Sequence, residues 1–206
     1  MSQFFNIHPE SPQPRLIKEA AKIVQDGGVI VYPTDSAYAL GCRLADKSAL
    51  DRIRQIRRLD DKHKFTLVCR DLSELSTYAM VDNTAFRILK AHTPGAYTFI
   101  LNATKEVPRR LLHPKRNTIG IRVPDNKVLL ALLEELNEPL MSVTLLIPGE
   151  EDLPLEAQDI NDRLGKQVDL IIDGGACAPT FTTIVDLVNG YPKILREGKG
   201  DVKNLT

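Results

Sequence analysis

The chain has 206 residues, 43% of them hydrophobic and 26% charged, with basic and acidic side chains balanced at 27 each. This suits one soluble domain with a substantial core, and the zero net charge sets up no global field toward a partner. No run approaches the roughly 18 apolar residues of a membrane-spanning helix, and the opening MSQFFNIHPESPQPR lacks the basic start and apolar core of a signal peptide.

Residues 13–26 place Leu16, Ala20, Ile23 and Val24 at helical spacing, and Gly27-Gly28 ends that helix. The stretch VIVYPTDSAYALGC follows, with a buried strand at 29–32 that runs out into Thr34, Asp35 and Ser36. A second helix fits 47–58, and short apolar runs predict strands at 65–69, 97–101, 119–123, 140–146, 169–172, 183–187 and 193–195. Further helices fit 82–92 and 125–136, the latter opened by the N-cap formers Asp125-Asn126. The connections 102–118 and 147–168 are Pro-bearing and show no clear period. Helices alternating with buried strands predict an α/β fold. No repeat or linker divides the chain.

Cys42, Cys69 and Cys177 are scattered, and His8, His63, His92 and His113 show no zinc spacing. A reducing cytoplasm with no disulfide framework and no dedicated metal site is the expectation. His63, between Lys62 and Lys64, has the reference pKa of a catalytic base but reads first as a loop residue. Neither a P-loop nor a Rossmann fingerprint is present.

The neutral total hides a partition. Arg52 to Arg70 holds seven Lys/Arg and two acids, and Lys105 to Arg122 holds six and one, so these segments carry +10 and the remainder −10. Folded onto one face they would make an anion-binding surface; on separate faces they would merely be solvated. Within helix 47–58, Ala49, Leu50, Ile53 and Ile56 share one arc, and Arg57 falls inside it. Either Arg57 faces a partner inward, or the helix frays and releases it to water.

Small hydroxyls recur near predicted strand ends: Thr34, Ser36, Thr98, Ser142, Thr144, Thr182 and Thr183. Any one of them is explained by the β propensity of threonine. Together they suit a phosphate or carboxylate held at a sheet crevice.

The blocks GGVIVYPTDSAYALGC, PGAYTFIL, IGIRVPDN, PLMSVTLLIPG, TTIVDL and ILREG, in this order over about residues 13–198, resemble the YrdC/YciO-type family, and the YciO branch especially. The resemblance implies a single domain over 1–206 with a twisted, open mixed sheet, flanking helices and a concave basic surface. It implies chemistry of the threonylcarbamoyl-AMP synthases, which join threonine, bicarbonate and ATP and release pyrophosphate for tRNA modification. It also implies binding of double-stranded RNA or tRNA. Thr34, Ser36, Lys64, Thr98, Arg122, Thr182, Thr183 and Arg196 match the family pattern.

Two blocks depart from it. Where synthases carry Lys-x-Arg, this chain has Arg57, Arg58 and Leu59; where they carry Ser-x-Asn, it has Thr144, Leu145 and Leu146. Leu146 cannot supply the donor and acceptor of an asparagine. The first expectation is therefore an RNA-binding protein, using Arg57, Arg58, Lys62 and Lys64 with Arg109, Arg110, Lys115 and Arg116 as a second edge. The alternative is a synthase impaired by the altered motifs, with threonine and ATP with magnesium in the site. Catalytic residues are not assigned.

Overall fold

The computed structural model describes residues 1–205. Ten strands make one sheet: β1 (Gln3–Asn6), β2 (Ile30–Tyr32), β3 (Ala39–Arg43), β4 (Thr66–Val68), β5 (Tyr97–Asn102), β6 (Thr118–Arg122), β7 (Leu140–Thr144), β8 (Leu170–Asp173), β9 (Thr183–Asp186) and β10 (Lys193–Arg196). Their spatial order is β1-β8-β2-β3-β7-β4-β6-β5-β9-β10. Parallel pairs (β1·β8, β2·β8, β4·β6, β5·β9) are mixed with antiparallel ones, so the α/β expectation and the open mixed sheet both hold. The helices are α1 (Pro14–Gln25), α2 (Lys47–Arg57), α3 (Leu72–Tyr78), α4 (Asn83–His92), α5 (Lys127–Leu136) and α6 (Ala157–Leu164).

Sequence reading missed four elements. β1 is a short edge strand, and β3 lies in the block read as a polar excursion from β2. α3 has only seven residues, too few to establish a period. α6 sits inside the connection 147–168, where the charged surface of AQDINDRL masks the buried Ala157, Ile160 and Leu164. Helix starts follow local chemistry: the side chains of Asp46, Asp71, Asp82 and Asn126 each accept the amide N–H three residues on.

The strands alternate, and the alternation explains where the core stops. On one face Leu67, Phe99, Ile121, Met141, Val143 and Val185 pack under α2, α3, α4 and α6. On the other face Ile30, Tyr32, Val68, Leu140 and Leu170 pack under α1 and α5. Those two helices cover only part of their face. The uncovered part, over β7, β4, β6, β5 and β9, presents Ser142, Thr144, Thr66, Gly120, Thr98 and Ile184 in cross-strand register. Four small hydroxyl side chains, with Gly120 and Ile184, thus stand where no helix covers the sheet. They are not gathered at strand ends alone, as the sequence suggested.

Candidate functional site

The uncovered sheet face is the floor of a cavity of about 230 Å³. Thr34, Ser36, Arg57, Lys64, Thr98, Arg122, Ser142, Thr144, Thr182 and Arg196 line it, so eight candidates from the six sequence blocks meet Arg57 and Lys64 in one place. Ala37, Ala39, His63, Thr66, Val143, Phe181 and Ile184 complete the lining and were not among the candidates. Thr66 lay inside the strand expected at 65–69, where its alternation against buried Leu67 was the available signal.

Each wall has its own local logic. The turn after β2 closes on itself: the Thr34 hydroxyl donates to the Ala37 carbonyl at 2.5 Å and accepts the Ser36 amide at 3.0 Å. Asp35 turns toward Arg122 and forms a buried ion pair, both side chains 9% exposed. The other Asp35 oxygen accepts the Asp125 amide at 2.8 Å. Nε of Arg122 is buried without a hydrogen-bond partner. This wall thus spends one guanidinium on an internal carboxylate and leaves one N–H unsatisfied.

The second wall is the C-terminal end of α2. Arg57 is half-buried and points inward; Nε donates to the Thr144 carbonyl and Nη1 to the Leu146 carbonyl, each at 2.9 Å. Burial lowers its pKa below the usual arginine value. The helix is ended by Arg58 at φ 54°, with the Leu59 amide reaching back to the Arg54 carbonyl at 2.9 Å. Leu59 then packs against the main core, which explains an apolar residue where the family pattern has arginine. Arg58 is exposed and does not line the cavity.

The third wall is formed by 181–199. Arg196 donates twice to the Thr182 carbonyl, at 3.1 and 2.9 Å, and stands 4.8 Å from the centroid of the Phe181 ring. Thr98 and Thr182 share a hydrogen bond at 2.8 Å. Lys199 crosses to donate to the Asp35 carbonyl and ties this wall to the first. Cys177 lies 3.7 Å from the Thr34 carbonyl, and burial pushes its thiol up to about 11, so it is not a thiolate at neutral pH.

Five candidates fall outside the cavity. Thr183 is fully buried and donates to the Gly200 carbonyl at 2.6 Å, so it is a structural anchor. Arg58 and Lys62 are exposed beyond the α2 wall. Arg109 and Arg110 sit in a 3-10 turn at Arg109–Leu111, and Arg110 donates to the Ala45 carbonyl before α2. The 11-residue helix then separates that contact from Arg57 by about 16 Å. The two basic segments do not form one continuous free surface: Arg52, Arg54, Arg70, Arg116 and Arg122 are paired with Asp169, Asp61, Glu74, Asp186 and Asp35.

A sheet with one face half open, floored by hydroxyls and walled by arginines, describes an α/β protein with a small polar cavity on its open face. The family profile described as "Telomere recombination" (Sua5/YciO/YrdC) matches residues 22–198, and the chain belongs to this family. The YciO protein of Escherichia coli strain K12 is 61% identical over 203 residues, 98% of each chain. The crystal structure of E. coli YciO superposes with a TM-score of 0.95 at 60% identity, covering 100% of both chains. A threonylcarbamoyl-AMP synthase of Idiomarina loihiensis is 32% identical over 169 residues, 79% of this chain and 89% of its own. Pyrococcus abyssi Sua5, solved in complex with L-threonine, gives a TM-score of 0.87 at 25% identity over 96% of this chain and 58% of its own.

Proposed function

We propose that the cavity binds a small carboxylate- or phosphate-bearing ligand of threonylcarbamoyl-adenylate chemistry, threonine or an adenylate, and that the protein forms the adenylate poorly. The arrangement of Arg57 carries this reading. Its guanidinium, which in the resemblance occupies the place of a synthase lysine, is hydrogen-bonded to the backbone of the segment that replaces Ser-x-Asn. Leu59 and Leu146 offer no further donor at the two altered positions. Loss of one positioned donor costs about 2.7–4 kcal/mol of transition-state stabilisation, so two losses leave binding intact and turnover low. The hydroxyl floor, the unpartnered Nε–H of Arg122 and the charges of Arg57, Lys64 and Arg196 still suit a carboxylate or phosphate.

Thermal unfolding with threonine, AMP and ATP-magnesium, run beside a pyrophosphate-release assay with threonine and bicarbonate, tests the proposal. We expect ligand-dependent stabilisation with pyrophosphate near background. No stabilisation by any ligand, or turnover matching a synthase, overturns it.

A second reading keeps folded or double-stranded RNA, tRNA included, as a partner at the cavity rim. Lys62 and Lys64 precede β4, and Lys115 and Arg116 precede the neighbouring parallel strand β6, so both lysine-bearing loops open at the same end of the sheet. Among the described residues, Arg58, Lys62, Lys64 and Lys115 have no carboxylate partner within 4.0 Å. Such cations position RNA phosphates without reading bases, so binding must weaken steeply with salt. A salt-independent or undetectable gel shift removes this reading.

A further inference from the structure

His63, which reads in the sequence first as a loop residue, lines the cavity together with Arg57 and Lys64. The ring is half-buried and edge-on to Phe65, with centroids 6.1 Å apart at 87°. Phe65 is 2% exposed, so it anchors the imidazole to the core. The His63 amide is engaged, donating to the Asp60 carbonyl at 3.2 Å. The ring nitrogens have no hydrogen-bond partner among the described residues. An imidazole serving only to hold the loop would spend a ring nitrogen on that loop, as His8 and His113 do on the amides that follow them.

We propose that His63 contacts the ligand, as a third basic group that joins Arg57 and Lys64 in receiving a phosphate at the α2 end of the cavity. This deepens the small-anion reading and rests on it.

The surrounding charges explain why an imidazole suits the position better than a third permanent cation. Arg54 and Arg57 face it from α2, Lys62 and Lys64 flank it, and Asp60 and Asp61 lie in the preceding turn. Asp61 is 3.6 Å from Arg54, whose guanidinium also lies 5.4 Å from the Phe65 centroid. Burial first, and then the Arg57 and Arg54 charges, hold the imidazole below its usual range against the opposing pull of Asp60. The empty site therefore avoids another positive charge at neutral pH. An arriving phosphate reverses the balance: the imidazole takes up a proton and donates to a phosphate oxygen.

The sign of the linkage follows. The bound-state pKa exceeds the free-state pKa, so binding takes up protons between the two values. Affinity rises as pH falls through the bound-state value and levels off below the free-state value. Each unit of difference adds about tenfold to affinity.

Calorimetric titration with inorganic phosphate and with AMP, from pH 8 to 6 in buffers of differing ionisation enthalpy, tests this on wild type and H63Q. NMR titration of the wild-type imidazole, with and without each ligand, needs no variant. Expected are proton uptake by wild type in excess of H63Q, equal affinities near pH 8, and H63Q weaker by about tenfold near pH 6. The H63Q profile subtracts the phosphate's own ionisation, and thermal unfolding of H63Q reports its fold. Superimposable pH profiles, or an imidazole titration unmoved by bound ligand, overturn the His63 assignment alone. Failure of wild type to bind either ligand overturns it together with the phosphate side of the small-anion reading. A response to AMP but not to inorganic phosphate keeps His63 as a contact and assigns it to a nucleotide phosphate.

Discussion

Arg57 reaches across 87 residues of sequence to the Thr144 carbonyl and 89 to that of Leu146. Its two hydrogen bonds lock the end of β7 to the end of α2, so the side chain is both cavity wall and structural clamp. Hydrogen bonds from a charged donor contribute about 1.5–3 kcal/mol each. Arg57 is only half-buried, so water makes good part of the loss, and Arg57→Ala should lower stability by about 2–3 kcal/mol, read from the urea midpoint. Arg57→Lys, which keeps the charge but has no planar fork, should recover only part of that loss. Equal stability of Arg57→Ala and wild type would mean the clamp contributes nothing. The helical phase placed Arg57 inside the apolar arc of α2, but an inward partner and a frayed end were equally consistent with it. What decided the matter was a pair of backbone carbonyls, and their approach is a tertiary fact. His63 was hidden for a different reason: two flanking lysines made it look like a solvated loop, while its anchor was the adjacent Phe65.

At the level of elements, the cavity is what remains when two helices cover half a sheet face. The sequence did not foretell this open face, because the hydroxyls read as strand-end residues. Buried runs in β4, β5, β6 and β7 made the strands legible, and in the structure the hydroxyls within them mark the face without a helix. The missed elements were those with the least local signal, the short β1 and α3 and the charged α6. β3 was obscured by the polar turn before it. Gly120 marks a place on the floor where a larger side chain can be built in. A Cβ there would meet Thr98 Cγ2 at 3.4 Å and Thr66 Oγ1 at 3.6 Å, which is ordinary contact, so alanine fits. Gly120→Leu would instead send a branched side chain into the cavity. We expect it to fold, with a melting temperature near that of wild type, and to lose stabilisation by threonine and AMP. Retained ligand response in Gly120→Leu would place the ligand elsewhere.

For the whole molecule, the charge partition seen in the sequence was real but its geometry was not legible. Equal numbers of acids and bases leave no net field, and carboxylates distant in sequence take up five of the basic residues: Asp169 for Arg52, Asp186 for Arg116, Asp35 for Arg122, and the nearer Asp61 and Glu74 for Arg54 and Arg70. The remaining cations divide between the cavity rim and the 3-10 turn bearing Arg109 and Arg110. This division is testable by charge reversal. Lys64→Glu should abolish anion binding, and Arg110→Glu should leave it within about twofold, since long-range effects between exposed charges are screened beyond about 8 Å at physiological salt. An RNA gel shift on the same pair then separates the two regions. Loss with Lys64→Glu alone confines RNA to the rim, loss with both extends the interface past α2, and loss with Arg110→Glu alone removes the rim from the RNA reading.

The Lys199 tie to the Asp35 carbonyl has a consequence for how the site comes into being during synthesis. The first wall is translated near residue 34 and the third near residue 199, and Tyr97 is bonded to the Asp201 carbonyl at 2.9 Å between them. The floor strand β9 is the ninth of the ten strands in chain order. A ribosome-tethered nascent chain that has not yet exposed Lys199 lacks the tie between the first and third walls. If the cavity takes the proposed ligand, recognition requires the segment beyond β10 to have met the turn after β2, so a bound ligand would report that this long-range contact has formed.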